Sequence, residues 1–243
     1  MSETSAQNSN PIAPERLRAA YALFEAARTL IDLDTSQDPY HKIFRSFIDE
    51  THRQPAGRIL EIGSRARSGN VCKGLFRNYQ KYVGLDIIQG DNVDIVGDIH
   101  CLSRYFEDEK FDFIYCIATF EHLAMPWKAV LEINKVMATG GWLFIATHPA
   151  WPPHERPWDF WRFSEEGFRV LLNRMTGFEI LECSAGLPCS IVPFGHEPAM
   201  QGLCEQPANL GISVIARKIG PSDRRLSWDV DVNEILDTAY PSS

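Results

Sequence analysis

Arg58-Ile-Leu-Glu-Ile-Gly63 is the stretch whose reading decides the fold. It is short, apolar apart from Arg58 and Glu61, and closed by a glycine, so it reads as a buried strand running into a turn. From Gly57 onward, short apolar runs alternate with helix-like stretches, the pattern of βαβ units and a mostly parallel sheet. Tyr82 to Ile87 is a second strand, after a turn and a short helix around Val71 to Tyr79. Val93 to Gly97 is a short third strand and Phe111 to Ala118 a fourth. A helix from about Trp127 to Met137 ends at Thr139-Gly140-Gly141, a helix-stop and turn signal. Trp142 to Thr147 is nearly all apolar, as a strand covered on both faces should be.

Beyond it, Ser164 can cap a helix running to about Arg174, with Glu165 and Glu166 placed favourably for the helix dipole. Phe178 to Cys183 and Ile212 to Lys218 read as the two final strands. Upstream, Pro14 opens a helix whose Leu17, Ala20, Tyr21, Phe24, Ala27 and Ile31 form one apolar face. A second helix covers Tyr40 to Thr51, and core packing is expected for the apolar residues of both. The expected organisation is a disordered tail over 1–13, a helical cap over 14–56, a main domain over 57–220, and a polar C-terminal tail over 221–243. Within the main domain, 185–210 is longer than a hairpin needs and is expected as a substrate-side insertion.

The 243 residues suffice for one α/β domain with additions. A net charge of −8 argues against a broad nucleic-acid or anionic-membrane surface. No apolar run approaches the roughly 20 residues of a membrane span. The polar start, Met1 to Asn10, lacks a signal-peptide pattern. The six cysteines contain no C-x-x-C pair. A reduced, cytoplasmic protein is expected.

Ligands of open parallel sheets sit beyond the carboxyl ends of the strands at the topological switch point. There the first strand runs into Gly63-Ser64-Arg65-Ala66-Arg67-Ser68-Gly69, where glycine permits close approach of a ligand to the backbone. Asp86 ends the second strand, where a carboxylate can accept from both hydroxyls of a ribose. Asp98 follows the third, where it can accept from an adenine amino group or serve only as a turn-former.

These segments resemble the class I S-adenosylmethionine-dependent methyltransferases, in particular the compact small-molecule type (methyltransferase type 11-like). The resemblance runs from about Gly57 to Lys218 through Ile59-Leu60-Glu61-Ile62-Gly63, Gly84-Leu85-Asp86-Ile87, Gly97-Asp98-Ile99, Phe111 to Leu123, Val136 to Gly141, and Trp161-Arg162-Phe163-Ser164. It implies a doubly wound, Rossmann-like α/β fold with a mostly parallel seven-stranded sheet, an antiparallel last strand and N-terminal helices. The implied cofactor is S-adenosylmethionine. Gly63 and Ser64 would contact its methionine part, supported by Glu61; Asp86 would take the ribose, with Ile87 against the adenine. Asp98 and Ile99 would hold the adenine edge, and Cys116 and Ile117 would approach the sulfonium. One departure is plain: the family's Gly-x-Gly-x-Gly is broken by Ser64, Ala66 and two arginines. Arg65 and Arg67 either meet a carboxylate of cofactor or substrate, or point to solvent.

An oxygen acceptor that loses a proton needs a base or a metal. His122, His148 and His154 are the candidate catalytic residues, with Glu121 beside them. Some related O-methyltransferases hold a divalent metal on Glu-x-x-Glu-His, but Ala118 stands at the first Glu position here. No metal is therefore expected, and Glu121-His122 is read as capping and orienting the next helix. In the aromatic segment 148–163, Trp151 and His154 are the candidates for substrate contact. Phe160 and Phe163 are read as pinning the loop, Trp158 and Trp161 either pin it or stack on a substrate, and Asp159–Arg162 is read as a structural pair. The expected function is methyl transfer to a small molecule, in particular to an oxygen of a sugar or secondary metabolite. A non-catalytic cofactor-binding scaffold is the alternative. A dehydrogenase is disfavoured because Gly-x-Gly-x-x-Gly is absent. The expected partner is a small-molecule substrate, with neither nucleic acid nor membrane; the oligomeric state stays open.

Overall fold

A computed structural model describes residues 13–31, 33–54, 56–66, 69, 71–195, 197–227 and 231. The expectations for residues 1–12, for Arg67 and Ser68, and for nearly all of the tail beyond 227 lie outside the described residues. The chain divides into two compact units, Met1–Thr35 and Ser36–Ser243.

In the first unit, α1 (Pro14–Ile31) starts at the predicted proline but buries none of its residues. Within this unit Leu30 is 87% exposed. Among its described residues this unit contains no second α-helix or strand.

The second unit is built on seven strands: β1 (Arg58–Ile62), β2 (Lys81–Asp86), β3 (Ile95–Val96), β4 (Phe111–Ile117), β5 (Met137–Thr147), β6 (Phe178–Cys189) and β7 (Ala208–Lys218). Their order is β3-β2-β1-β4-β5-β7-β6. Pairing is parallel from β3 across to β5, whereas β7 runs antiparallel to both β5 and β6. The chain moves outward from β1 to β3 and then returns to lay β4 on the other side of β1. The order therefore reverses between β1 and β4, and their carboxyl ends part to open a crevice.

Alternation along the strands feeds two cores. On β4, Ile114 and Cys116 join the core on the face of α3 (Pro126–Val136), while Phe113 and Tyr115 face α2 (Pro39–Arg53). A register shift between Phe111 and Phe113 puts Phe111 into the same core as Ile114, as a bulge does. α2, read from sequence with the N-terminal cap, belongs to this second unit. Its N-cap Asp38 accepts from the Tyr40 N–H at 2.9 Å and, through its other oxygen, from the Leu187 N–H at 2.9 Å. The helix start is thereby tied to β6. Phe47 is fully buried, with its ring 5.9 Å from Phe113 and 5.6 Å from Phe144.

Ser164 caps α4 (Glu165–Leu171) as read, its Oγ accepting from the Gly167 N–H at 3.1 Å. α4 stops before Arg174 because Asn173 turns the chain, donating to the Val170 carbonyl at 2.6 Å and accepting from the Met175 N–H at 2.8 Å. Residues 71–79 hold only the 3-10 turn Cys72–Leu75, and Asn78, with φ of +57°, ends any helical course. β5 starts at Met137, earlier than read, and passes through Thr139-Gly140-Gly141 with Gly140 at φ +87°. β6 and β7 also run longer than read, so their hairpin absorbs part of 185–210. Among the described residues, no helix is long and apolar enough to cross a membrane.

Truncating Phe47 to Ala leaves a cavity among rings that cannot collapse together. We expect a loss of about 3–5 kcal/mol, measured by urea denaturation.

Candidate functional site

The cleft forms where β1 ends. Gly63 takes a left-handed φ of +75°, and a Cβ there would lie 2.1 Å from Thr119 Oγ1. Only glycine can turn the chain this close to the segment after β4. The Gly63 and Ser64 N–H groups donate to the Leu85 carbonyl at 2.8 and 3.1 Å, which fixes the loop to the end of β2.

Of the predicted cofactor residues, Gly63, Asp86, Ile87, Asp98 and Ile99 line one cleft, together with Thr119 and His122. Asp86 accepts from the Ile88 N–H at 2.9 Å and the Arg65 N–H at 3.2 Å, one on each oxygen. A carboxylate oxygen has two acceptor sites, so each retains one. Asp98 caps the 3-10 segment Ile99–Tyr105 through Oδ1, which accepts from the His100 N–H at 2.8 Å and lies 2.7 Å from His100 Nδ1. His100 was not singled out in the sequence. It is buried, and its Nε2 accepts from the Met125 N–H at 3.2 Å, so Nδ1 carries the proton donated to Asp98. Its only sequence signal is the Asp-x-His spacing after β3.

Ser64 is buried and its Oγ has no hydrogen-bond partner, and neither has Arg65 Nε. Arg65 turns onto Asp86, its Nε 4.0 Å from Oδ1. Glu61 does not line the cleft. It accepts through Oε2 from Tyr82 OH and from Asn92 Nδ2, the latter at 2.7 Å, and Tyr82 OH is paired with Tyr115 OH at 2.6 Å. Burial pushes the Glu61 carboxyl above the usual carboxylate range, against the pull of these hydrogen bonds. Asn92 Nδ2 also donates to the Ser64 carbonyl at 3.0 Å, so Glu61 supports the loop from behind.

Cys116 is a correction to the sequence reading. Strand alternation turns it away from the cleft and into the α3-side core, where it is 0% exposed and burial drives its thiol upward. Ile117 points the other way and packs against the α2-side cluster. The wall expected of these two is instead made by Thr119, after Ala118 turns the chain at φ +50°.

The three predicted histidines do come together, around Glu121. Glu121 is 0% exposed; Oε2 accepts from Thr147 Oγ1 at 2.7 Å, and Oε1 has no hydrogen-bond partner. Nε2 of His148 lies 3.5 Å from Oε1, that of His122 3.9 Å and that of His154 4.0 Å. Each Nδ1 meets a backbone carbonyl: His122 that of Trp158 at 2.6 Å, His148 that of Leu210 at 3.1 Å, and His154 that of Pro152 at 3.2 Å.

The aromatic segment is clamped over this cluster. Phe160 and Trp161 N–H groups donate to the Glu121 carbonyl at 2.9 and 3.1 Å, and Trp161 Nε1 to that of Leu123 at 2.7 Å. Trp158 and Phe160 pack with Ala124, Met125 and Ile87, and Phe163 is buried on Phe168. Arg162 grips Asp159 through both terminal nitrogens at 2.7 and 2.9 Å, and this pair holds the Asp159 carboxyl well below the usual range. Asp159 also accepts from the His154 N–H at 2.9 Å, so the pair positions His154. Trp151 is half exposed and stacks on His148 at 4.4 Å. A separate apolar cavity of about 430 Å³ lies between α3 and α4, away from these groups.

The profile of a methyltransferase-domain family matches residues 38–182, more than half of the chain. No curated protein sequence matches. Among solved structures, a SAM dependent methyltransferase from Archaeoglobus fulgidus is 16% identical, with a TM-score of 0.52 over 82% of this chain and 99% of that one. The 1,6-didemethyltoxoflavin-N1-methyltransferase of Burkholderia thailandensis, solved with its substrate and S-adenosylhomocysteine, is 13% identical, with a TM-score of 0.50 over 90% of this chain and 99% of that one. At such identities the two structures speak for the fold alone. The family match begins at Asp38, the residue that caps α2, and runs through both sides of the cleft into β6, so the chain belongs to the methyltransferase-domain family.

Proposed function

We propose that this chain is an S-adenosylmethionine-dependent methyltransferase acting on a small molecule, with an oxygen of a sugar or secondary metabolite as acceptor. The observation that carries the reading is one cleft at the switch point, lined by Gly63, Asp86, Asp98 and His122. The cofactor fits what these residues offer. Gly63 turns the chain at the mouth of the cleft, Asp86 keeps acceptor capacity at the end of β2, and Asp98 stands across from it. The Burkholderia thailandensis neighbour, with its small-molecule substrate and S-adenosylhomocysteine, is consistent with this assignment.

When bound, the cofactor supplies an activated methyl group, so the protein has mainly to align donor and acceptor and exclude water. Gly63, Ser64, Asp86 and Asp98 would hold the cofactor. Trp151 presents an exposed aromatic face at the histidine cluster for a sugar or ring. His122, His148 and His154 are the groups available to take the proton an oxygen acceptor sheds. The net charge of −8 favours a small acceptor over nucleic acid.

A non-catalytic binding module is the second reading, motivated by the loop after β1, where Ser64, Ala66 and two arginines break the glycine pattern. The two readings part at turnover: both require cofactor binding, and only the first gives a methylated product.

Calorimetry should show one S-adenosylhomocysteine per chain, with affinity about 10–100-fold lower in Asp86→Ala, the worth of hydrogen bonds to a charged group. No binding by the parent chain would sink both readings. The cleft encloses about 80 Å³, well short of the several hundred of an ordinary ligand site. Residues 63–66 should therefore shift on binding and change their hydrogen-exchange protection. Gly63→Ala should cost about 1–2 kcal/mol for its left-handed φ alone, plus the clash with Thr119. Adding Thr119→Ala should recover the clash and leave the rest, read as a double-mutant cycle in urea.

A further inference from the structure

We propose that Glu121, His122, His148 and His154 form a binding site for one divalent first-row transition-metal ion beside the cofactor cleft. The site draws on three segments: the turn after β4, the residue after β5, and the aromatic loop. Their converging atoms are one carboxylate oxygen and three imidazole nitrogens. Glu121, His122 and His154 offer ligand atoms that all lie within 4.8 Å of one another; His148 stands outside that group of three, with its Nε2 3.5 Å from Glu121 Oε1 and its ring centroid 6.2 Å from that of His154.

The reason a cation belongs there is electrostatic. A ring whose Nδ1 donates to a carbonyl presents, when neutral, a lone pair at Nε2. His148 and His154 both have Nδ1 against a carbonyl and Nε2 turned to Glu121 Oε1, itself an acceptor, 0% exposed and without a hydrogen-bond partner. Lone pairs facing a buried anion are unfavourable until positive charge sits among them. A proton could serve one pair, but charge-assisted hydrogen bonds of this kind are about 2.7–2.9 Å long, and the separations here are 3.5–4.0 Å. Ligands about 2.0–2.1 Å from a tetrahedral ion are ~3.3 Å apart, so small movements of Glu121, His122 and His154 would close them on an ion, and a larger one would bring in His148.

The surroundings are those of a ligand set. Each imidazole is oriented through Nδ1 by a backbone carbonyl, and Glu121 Oε2 by Thr147 Oγ1. Three imidazoles and one carboxylate suit Zn²⁺, Fe²⁺ or Ni²⁺ better than Mg²⁺ or Ca²⁺, which prefer all-oxygen shells. The sequence expectation of no metal followed from Ala118. The fold supplies ligands from after β5 and from the loop instead. If the methyl-transfer reading holds, an ion here would face an acceptor oxygen, because His122 lines the cofactor cleft. The binding site itself does not rest on that reading.

The test uses the full chain, stripped with a chelator and titrated with Zn²⁺ by calorimetry, with Co²⁺ as a spectroscopic probe. One Zn²⁺ per chain is expected, along with the strong visible absorption of low-coordinate Co²⁺ and a raised thermal midpoint. His148→Ala and His154→Ala should each weaken Zn²⁺ binding by well over about 10-fold, and Glu121→Gln should abolish it. Thr147→Val, which keeps the shape but loses the donor to Glu121, should weaken it about 10–100-fold. Circular dichroism without metal checks folding. Should Glu121→Gln fail to fold, the variant at His154, on the partly exposed loop, still decides. Failure to bind Zn²⁺, or binding unchanged in the histidine variants, overturns the proposal, as does nitrogen NMR showing protonated rings indifferent to Zn²⁺. The titration contains neither cofactor nor acceptor, so its failure leaves methyl transfer standing, and absent S-adenosylhomocysteine binding leaves the metal site standing.

Discussion

Placing Glu121 wholly out of solvent at the end of β4 costs free energy unless its oxygens are met, and the functional end of the molecule is arranged around meeting them. Thr147, the last residue of β5, donates to one oxygen, so the parallel pairing of β4 with β5 sets that contact. The Glu121 main chain receives the Phe160 and Trp161 N–H groups, which draws the aromatic loop down. The other carboxylate oxygen faces three imidazoles brought by the turn, the strand end and the loop. A change at Glu121 would therefore be felt in all three segments.

The cofactor side of the cleft is held by an analogous buried network. Glu61 sits behind β1 rather than in the cleft, and Tyr82, Tyr115 and Asn92 surround it. Through Asn92 this network reaches the Ser64 carbonyl, while Leu85 receives the two N–H groups that start the loop. The loop that departs from the usual glycine pattern is thus anchored at its beginning. Gly63 keeps the left-handed turn, and the departure falls on residues further out, among which Arg65 covers Asp86.

The apolar alternation of β1, β4 and β5 is visible in the chain because strands buried on both faces must be apolar throughout. The Asp86 and Asp98 positions are visible because strand ends at a switch point are where ligand-binding acids stand. Cys116 was misplaced because β4 is apolar from Phe113 to Ile117, and such a run gives no sign of which alternate residues face the ligand and which the core. The stripe on α1 is legible for a different reason: an amphipathic period shows that a helix has an apolar face, and it does not say what covers it.

From sequence alone came the α/β class, the mostly parallel sheet implied by βαβ units, the glycine turn after β1, and the acids that end β2 and follow β3. All of these are local, set by a few adjacent residues and by the period of burial. The tertiary structure decided what lies far apart in the chain: that His122, His148 and His154 converge on one carboxylate, that Arg65 lies over Asp86, and that His100 fixes Asp98. Such meetings depend on where β4 and β5 end and how the aromatic loop returns, and no local spacing records those distances.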